Sequence, residues 1–314
     1  MHAPFQKTKG GLNFNSRVIA MLGLVLEGGA MRAGFAAGAL MALMDKKLTD
    51  FDAAVGVSAS VPILAYFAAG QRKEMEKIWR DELTSPKLVC YQNIPAASLA
   101  LSTKRPILNV DRLVYDIFQT KYPLNSPALL ANKMACRFSA ARVPEGKQVF
   151  LSPAEGNVYD VIRACLAVPG CYPAPISMNG CEYVDGGTVN PLPLPGIPAG
   201  KTSRVLVILT KPIDCEYEPP NFLERTLFWR YFHKYDWMLE KLWEAAQIYN
   251  SQVSLLEQMA QEKPSRALII CPDTMLPVKF VTLDRKKINR TIDLGYGKIE
   301  ELEDEIRRFL GKDT

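Results

Sequence analysis

The chain has 314 residues, 48% of them apolar and 23% charged, and carries a net charge of +5. These proportions exclude a disordered, collagen-like or coiled-coil chain and leave one large α/β domain or two average ones. Seven cysteines without a CxxC pair read as reduced thiols and not as a disulfide frame or zinc site. The mild positive charge permits weak attraction to anionic surfaces and does not call for nucleic acid.

Residues 1–16 lack the apolar stretch of a secretory signal and read as a flexible N-terminus. The longest apolar stretch, from Arg17 to Met44, is interrupted by Glu27 and Arg32, which a lipid-spanning helix tolerates poorly. A cytoplasmic chain is therefore expected, with residues 17–314 as a single domain. A continuous apolar run from Val18 to Leu26 predicts a strand buried on both faces, closing at Glu27-Gly28-Gly29. From Ala33 to Met44 the sequence predicts an interior helix, in which Gly34 and Gly38, one turn apart, allow close approach to a sheet. A second short strand from Phe51 to Gly56 and a second apolar helix from Ser60 to Ala69 follow. This alternation argues for a parallel sheet with right-handed crossovers.

Residues 71–131, broken by Pro86, Pro95, Pro106, Pro123 and Pro127, read as a helical cap. Strands return from Met134 to Ala141 and from Lys147 to Leu151, joined by a turn at Glu145-Gly146. A helix from Asp160 to Ala167, a strand from Glu182 to Asp185 and a rigid loop from Pro191 to Pro198 follow. Two buried strands, from Arg204 to Leu209 and from Arg266 to Cys271, flank a helical stretch 221–263. The chain closes from Arg285 to Leu310 with two helices parted at Gly295-Tyr296-Gly297. The core thus spans 18–210 and a mainly helical extension 221–314.

Gly56-Val57-Ser58-Ala59-Ser60 lies between an apolar strand and an apolar helix, the setting in which GxSxG lifts a serine hydroxyl above a sheet edge. Ser60 stands where that pattern has glycine, and the plain alternative is a tight turn with Ser58 capping the helix. The turn from Glu27 through Arg32 to Gly34 is also glycine-rich, and its backbone N–H groups suit an anion. It is neither a Walker loop nor a GxGxxG fingerprint, so a nucleotide site has weak support, and tight packing alone would also explain its glycines. The pairing carries more than either motif. Two successive parallel strands bring a hydroxyl and a set of amide donors to one sheet edge, as acyl transfer needs.

The base is less obvious. The chain has two histidines, His2 and His233. Ser58, Asp185 and His233 follow the chain order of a hydrolase triad, but His233 lies in an aromatic, helical-looking stretch and the elbow comes on only the second strand. A carboxylate acting directly is simpler, and Asp185 precedes Gly186-Gly187, where the backbone can approach another element. Since a free aspartate titrates near about 3.9, this role needs partial desolvation. The alternative is an ordinary turn residue.

These three segments resemble the signature of the patatin-like phospholipase family: an acidic residue with a run of glycines and a basic residue, then Gly-x-Ser-x-Gly, then Asp-Gly-Gly. The stretch from Arg163 to Pro173 also looks like the one that precedes the family's aspartate. The resemblance implies a three-layer α/β/α sandwich with a mainly parallel central sheet, and hydrolysis of acyl-lipid esters without metal or cofactor. It makes Ser58 the nucleophile and Asp185 its base. It further makes the amides of Gly28, Gly29 and Ala30 the oxyanion hole, with Arg32 steadying that turn or an anionic head group. Ala30 and Ser60 depart from the family's glycines, and they motivate a second reading, a catalytically silent lipid- or partner-binding module. Residues 225–241 interleave six aromatic with four basic side chains. This is the composition of a helix lying on a membrane surface, yet the helical spacing of several aromatics favours packing against the sandwich. The sequence leaves the oligomeric state open.

Overall fold

Short apolar runs separated by helical segments become neighbouring strands wherever their registers let both faces be covered. The computed structural model describes residues 21–93, 106–198, 203–218 and 237–312. Its eight strands are β1 (Leu22–Leu26), β2 (Ala53–Val57), β3 (Ala135–Val143), β4 (Lys147–Leu151), β5 (Ile176–Met178), β6 (Cys181–Asp185), β7 (Arg204–Ile208) and β8 (Ala267–Ile270). They form one sheet in the order β5-β6-β3-β2-β1-β7-β8, with β4 also pairing β3. From β3 to β8 the pairs are parallel, whereas β4, β5 and β6 join antiparallel. The chain is thus a mixed α/β fold, and β5 is the strand that sequence periodicity missed. Three residues are too few to display an alternation.

Alternate side chains of the central strands enter two separate cores. Leu24, Leu26, Leu206 and Ile208 pack with α1 (Gly34–Asp45) and α2 (Ser60–Ala68), while Val25, Val55 and Val207 pack with Tyr249 and Leu256 of the long helix Trp237–Gln261. Helices therefore cover both faces of the sheet. Within 71–131, the described residues form α3 (Arg72–Lys77), a π-helical stretch Arg112–Lys121 and α4 (Ser126–Ala131). Trp79, Leu113 and Phe118 from this region join the same core as α1 and α2.

The C-terminal helices differ from expectation. One continuous helix runs Arg285–Glu301 through Gly295 and Gly297, and the break falls at Leu302, before the last helix Glu303–Leu310. Gly295 is not a breaker but a contact. A Cβ there would lie 1.9 Å from the carbonyl oxygen of Phe35, and one on Gly38 would lie 1.9 Å from that of Ile292. The backbones of α1 and this helix meet at the two glycines, so the close approach anticipated at Gly38 is to a helix and not to the sheet.

Candidate active site

The register of four strands assembles the site. Leu26 of β1 pairs with Gly56 of β2, so the turns after these strands emerge side by side. On the other flank Val57 pairs with Ser139 of β3, and the next β3 residue, Ala140, pairs with Asp185. Three stretches far apart in the chain thus arrive at one sheet edge.

Ser58 has φ 57°, in the left-handed region that a serine adopts only when its surroundings impose it. Gly56 makes the turn possible: a Cβ there would stand 3.0 Å from the Ser60 carbonyl oxygen, which passes directly over the strand. Ala59, not Ser58, is the N-cap of α2, and no side-chain hydrogen bond caps that helix. The Ser58 hydroxyl is therefore not engaged in capping and sits at a helix N-terminus, where the backbone dipole favours negative charge. Ser60 is fully buried, and its Oγ donates to the Glu27 carbonyl oxygen at 2.5 Å. The hydroxyl that replaces glycine here is a tie between the two turns.

Asp185 is buried, and its Oδ1 accepts the Gly187 N–H at 2.7 Å. Burial pushes its carboxyl up to about 7, and interaction with the Ser58 side chain and the Gly187 N–H draws it down. Gly186 is pressed on Ser139, whose Oγ would lie 2.5 Å from a Cβ, and this lets the chain turn away directly after the aspartate. A Cβ on Gly187 would come 3.0 Å from Asp185 Oδ1 and 3.9 Å from Ser58 Cβ, so that residue lies against both.

The glycine turn faces Ser58 from the other side, since a Cβ on Gly28 would be 3.3 Å from Ser58 Cβ. Its amides do not all have the role anticipated. The Gly28 N–H donates to the Pro191 carbonyl at 2.9 Å and is already engaged, which leaves the Gly29 and Ala30 amides as the donors without a partner among the described residues. Ala30 has φ 49°, so its methyl group sits in a conformation that disfavours any side chain. Arg32 lies in the 3₁₀ turn Ala30–Ala33, with its Nε buried and without a hydrogen-bond partner among the described residues. Glu27 is completely buried and accepts the Thr210 N–H, while Thr210 Oγ1 donates to the Gly28 carbonyl at 3.0 Å. Thr210 and Lys211 follow β7, which pairs with β1 at Leu26–Ile208 and so ends at the same sheet edge. The sequence marks Thr210 and Lys211 only as a polar pair directly after an apolar strand, and their place beside Glu27 comes from the pairing of β1 with β7.

An apolar cavity of about 70 Å³ has Ala30 and Ala59 in its wall, one from each of the two turns, and extends past Ile63, Leu108, Leu166 and Cys171. His2, His233 and residues 225–236 of the aromatic stretch lie outside the described residues. Trp237, at the end of that stretch, packs against Ala141, Val143, Val184 and Val189. Among the described residues no cluster of ligand-type side chains suits a metal ion, and no helix is long and apolar enough to cross a membrane.

Residues 24–196 match the family model described as patatin-like phospholipase. The uncharacterized protein YjjU of Escherichia coli K12 is 26% identical over 253 residues, covering 79% of this chain and 67% of that protein. Among solved structures, VipD from Legionella pneumophila superposes with a TM-score of 0.50 at 13% identity, over 91% of this chain and 67% of VipD. The human GIVD cytosolic phospholipase A2, solved with a fluorophosphonate inhibitor, gives a TM-score of 0.41 at 13% identity, over 94% of this chain and 60% of that one.

Proposed function

Because the chain belongs to the patatin-like phospholipase family, we propose that it is a serine esterase acting on acyl lipids through a dyad of Ser58 and Asp185. The observation that carries this reading is a left-handed serine at a helix N-terminus whose side chain interacts with a buried carboxyl raised to about 7. A carboxyl titrating near about 7 is far better matched to a hydroxyl proton than a solvated one.

The chemistry then runs as follows. Asp185 takes the hydroxyl proton as Ser58 Oγ bonds to the ester carbonyl carbon, and the carbonyl oxygen gains the negative charge facing the Gly29 and Ala30 amides. Collapse of this intermediate expels the alcohol, which leaves with the proton from Asp185. A water then gives its proton to Asp185 as it adds to the acyl carbonyl, and Asp185 passes that proton to Ser58 Oγ as the acyl–oxygen bond breaks, which releases the fatty acid and restores both residues. The apolar wall of the cavity beside both turns favours an aliphatic acyl group over a polar one there, with room in this structure for only its first few carbons. The seven unpaired thiols suit a reducing compartment, so we place the enzyme in the cytoplasm, with lipid reached at a membrane surface or as a monomer.

A lipid and ester panel tests the reading with the Ser58→Ala variant as its blank. Hydrolysis by the parent chain above that blank supports the esterase. Equal rates from both chains would leave the silent, lipid-binding reading.

A further inference from the structure

Beneath the glycine turn lies a group of charges that the steps above do not use. Lys211 is only 6% exposed, and its Nζ sits 4.2 Å from the ring centroids of both Tyr217 and Tyr249. Burial lowers the pKa of the Lys211 ammonium, while the Glu27 carboxylate and the two aromatic faces act the other way and favour its charged form. Among the described residues neither Lys211 nor Arg32 is in ion-pair contact with a carboxylate. Burial raises the Glu27 carboxyl, and Lys211 and Arg32 act on it through space in the opposite direction, toward its ionised form. The same neighbourhood reaches Asp185, since Tyr217 feels the charges of Arg32, Glu27 and Asp185 together.

Two cations and two carboxylates, Glu27 and Asp185, make up this ensemble. Attack by Ser58 leaves their sum unchanged and moves one negative charge. Asp185 becomes neutral, and the charge reappears on the carbonyl oxygen beside Gly29 and Ala30. That oxygen stands at the turn that contains Arg32 and lies close to buried Lys211, so the transfer brings negative charge toward two cations that have no carboxylate in ion-pair contact among the described residues.

We propose that Lys211 is a positioning residue for the oxyanion turn, its buried charge favouring the tetrahedral intermediate over the bound ester. The inference rests on the esterase reading. Its contribution arises in the transition state, so it belongs in kcat and not in KM.

The test compares the parent chain with Lys211→Met, which keeps length and removes charge, and Lys211→Arg, which keeps charge. Each is assayed on a long-chain ester well below its melting temperature, with Ser58→Ala run first as the blank. Inhibition by a long-chain trifluoromethyl ketone, which forms an ionised hemiketal with a serine, is measured beside that of the matching methyl ketone, which binds uncharged. Lys211→Met is expected to lose about tenfold or more in kcat, to keep its KM, and to weaken only the trifluoromethyl ketone by a similar factor. Lys211→Arg should recover most of both. A kcat for Lys211→Met within about twofold of the parent, or equal weakening of both ketones, would overturn the inference while leaving the esterase standing. A parent chain no faster than Ser58→Ala removes the esterase reading and this inference together.

Discussion

Ser60 Oγ donates to the carbonyl oxygen of Glu27 at 2.5 Å, with both residues wholly buried. The bond joins the first turn of α2, directly after Ser58, to the strand end that carries the glycine turn. It thereby ties the Ser58 turn to the turn that carries the amides of Gly29 and Ala30.

Ser60→Ala should therefore lower stability by about 1 kcal/mol, because it leaves the Glu27 carbonyl without its buried donor. Ser60→Gly, which installs the family's own residue, should lose about a further 1 kcal/mol through helix propensity. Urea denaturation of the three chains measures both steps.

The roles assigned to Ser58 and Asp185 predict that Ser58→Ala and Asp185→Asn each reduce ester hydrolysis by about a thousandfold or more with the fold intact. His233→Ala should keep most of the activity, since no step passes through a histidine. Steady-state kinetics with circular dichroism as the folding control decide the matter.

Asp185 must be ionised to accept the Ser58 proton, so kcat/KM should fall as pH drops, with a midpoint at about 7. Stability should follow the opposite course. The folded carboxyl titrates higher than the unfolded one, near 3.8, so the folded state holds the proton longer and stability declines as pH rises from about 4 through about 7. Asp185→Asn, which removes the buried charge, should accordingly raise the melting temperature at pH 8, with the gain shrinking toward pH 4. A midpoint near 4 in the rate profile would contradict the role of burial.

Leu108 lines the apolar cavity and lies where the backbone N–H groups of Ile107 and Leu108 both donate to the Cys171 carbonyl. Leu108→Trp adds bulk to that wall and should lower kcat/KM for long acyl esters by about tenfold relative to short ones, a discrimination within reach of apolar packing. A p-nitrophenyl ester series of increasing chain length reads this ratio.

The central strands and the first two helices were legible because their signal is local. Runs such as the one ending at Leu26, and the alternation of strand and helix up to Ala69, depend on neighbours in the chain. Ser58 and Asp185 stood out for a related reason, since each lies where an apolar strand ends at glycine. What remained hidden depended on distant partners. Nothing in the sequence around Gly28 tells that its N–H is already spent on Pro191, and the glycines of Gly295-Tyr296-Gly297 read as a break because Phe35, their contact, lies far upstream. Lys211 escaped for the same reason: its meaning comes from Glu27, which only the pairing of β1 with β7 brings near.

The dyad is tested most directly by reacting the parent chain with a long-chain fluorophosphonate and locating the adduct by peptide mass spectrometry. One phosphonyl group per chain is expected, on Ser58, formed far more slowly in Asp185→Asn. An unmodified Ser58, or equal labelling rates in the two chains, would contradict the dyad.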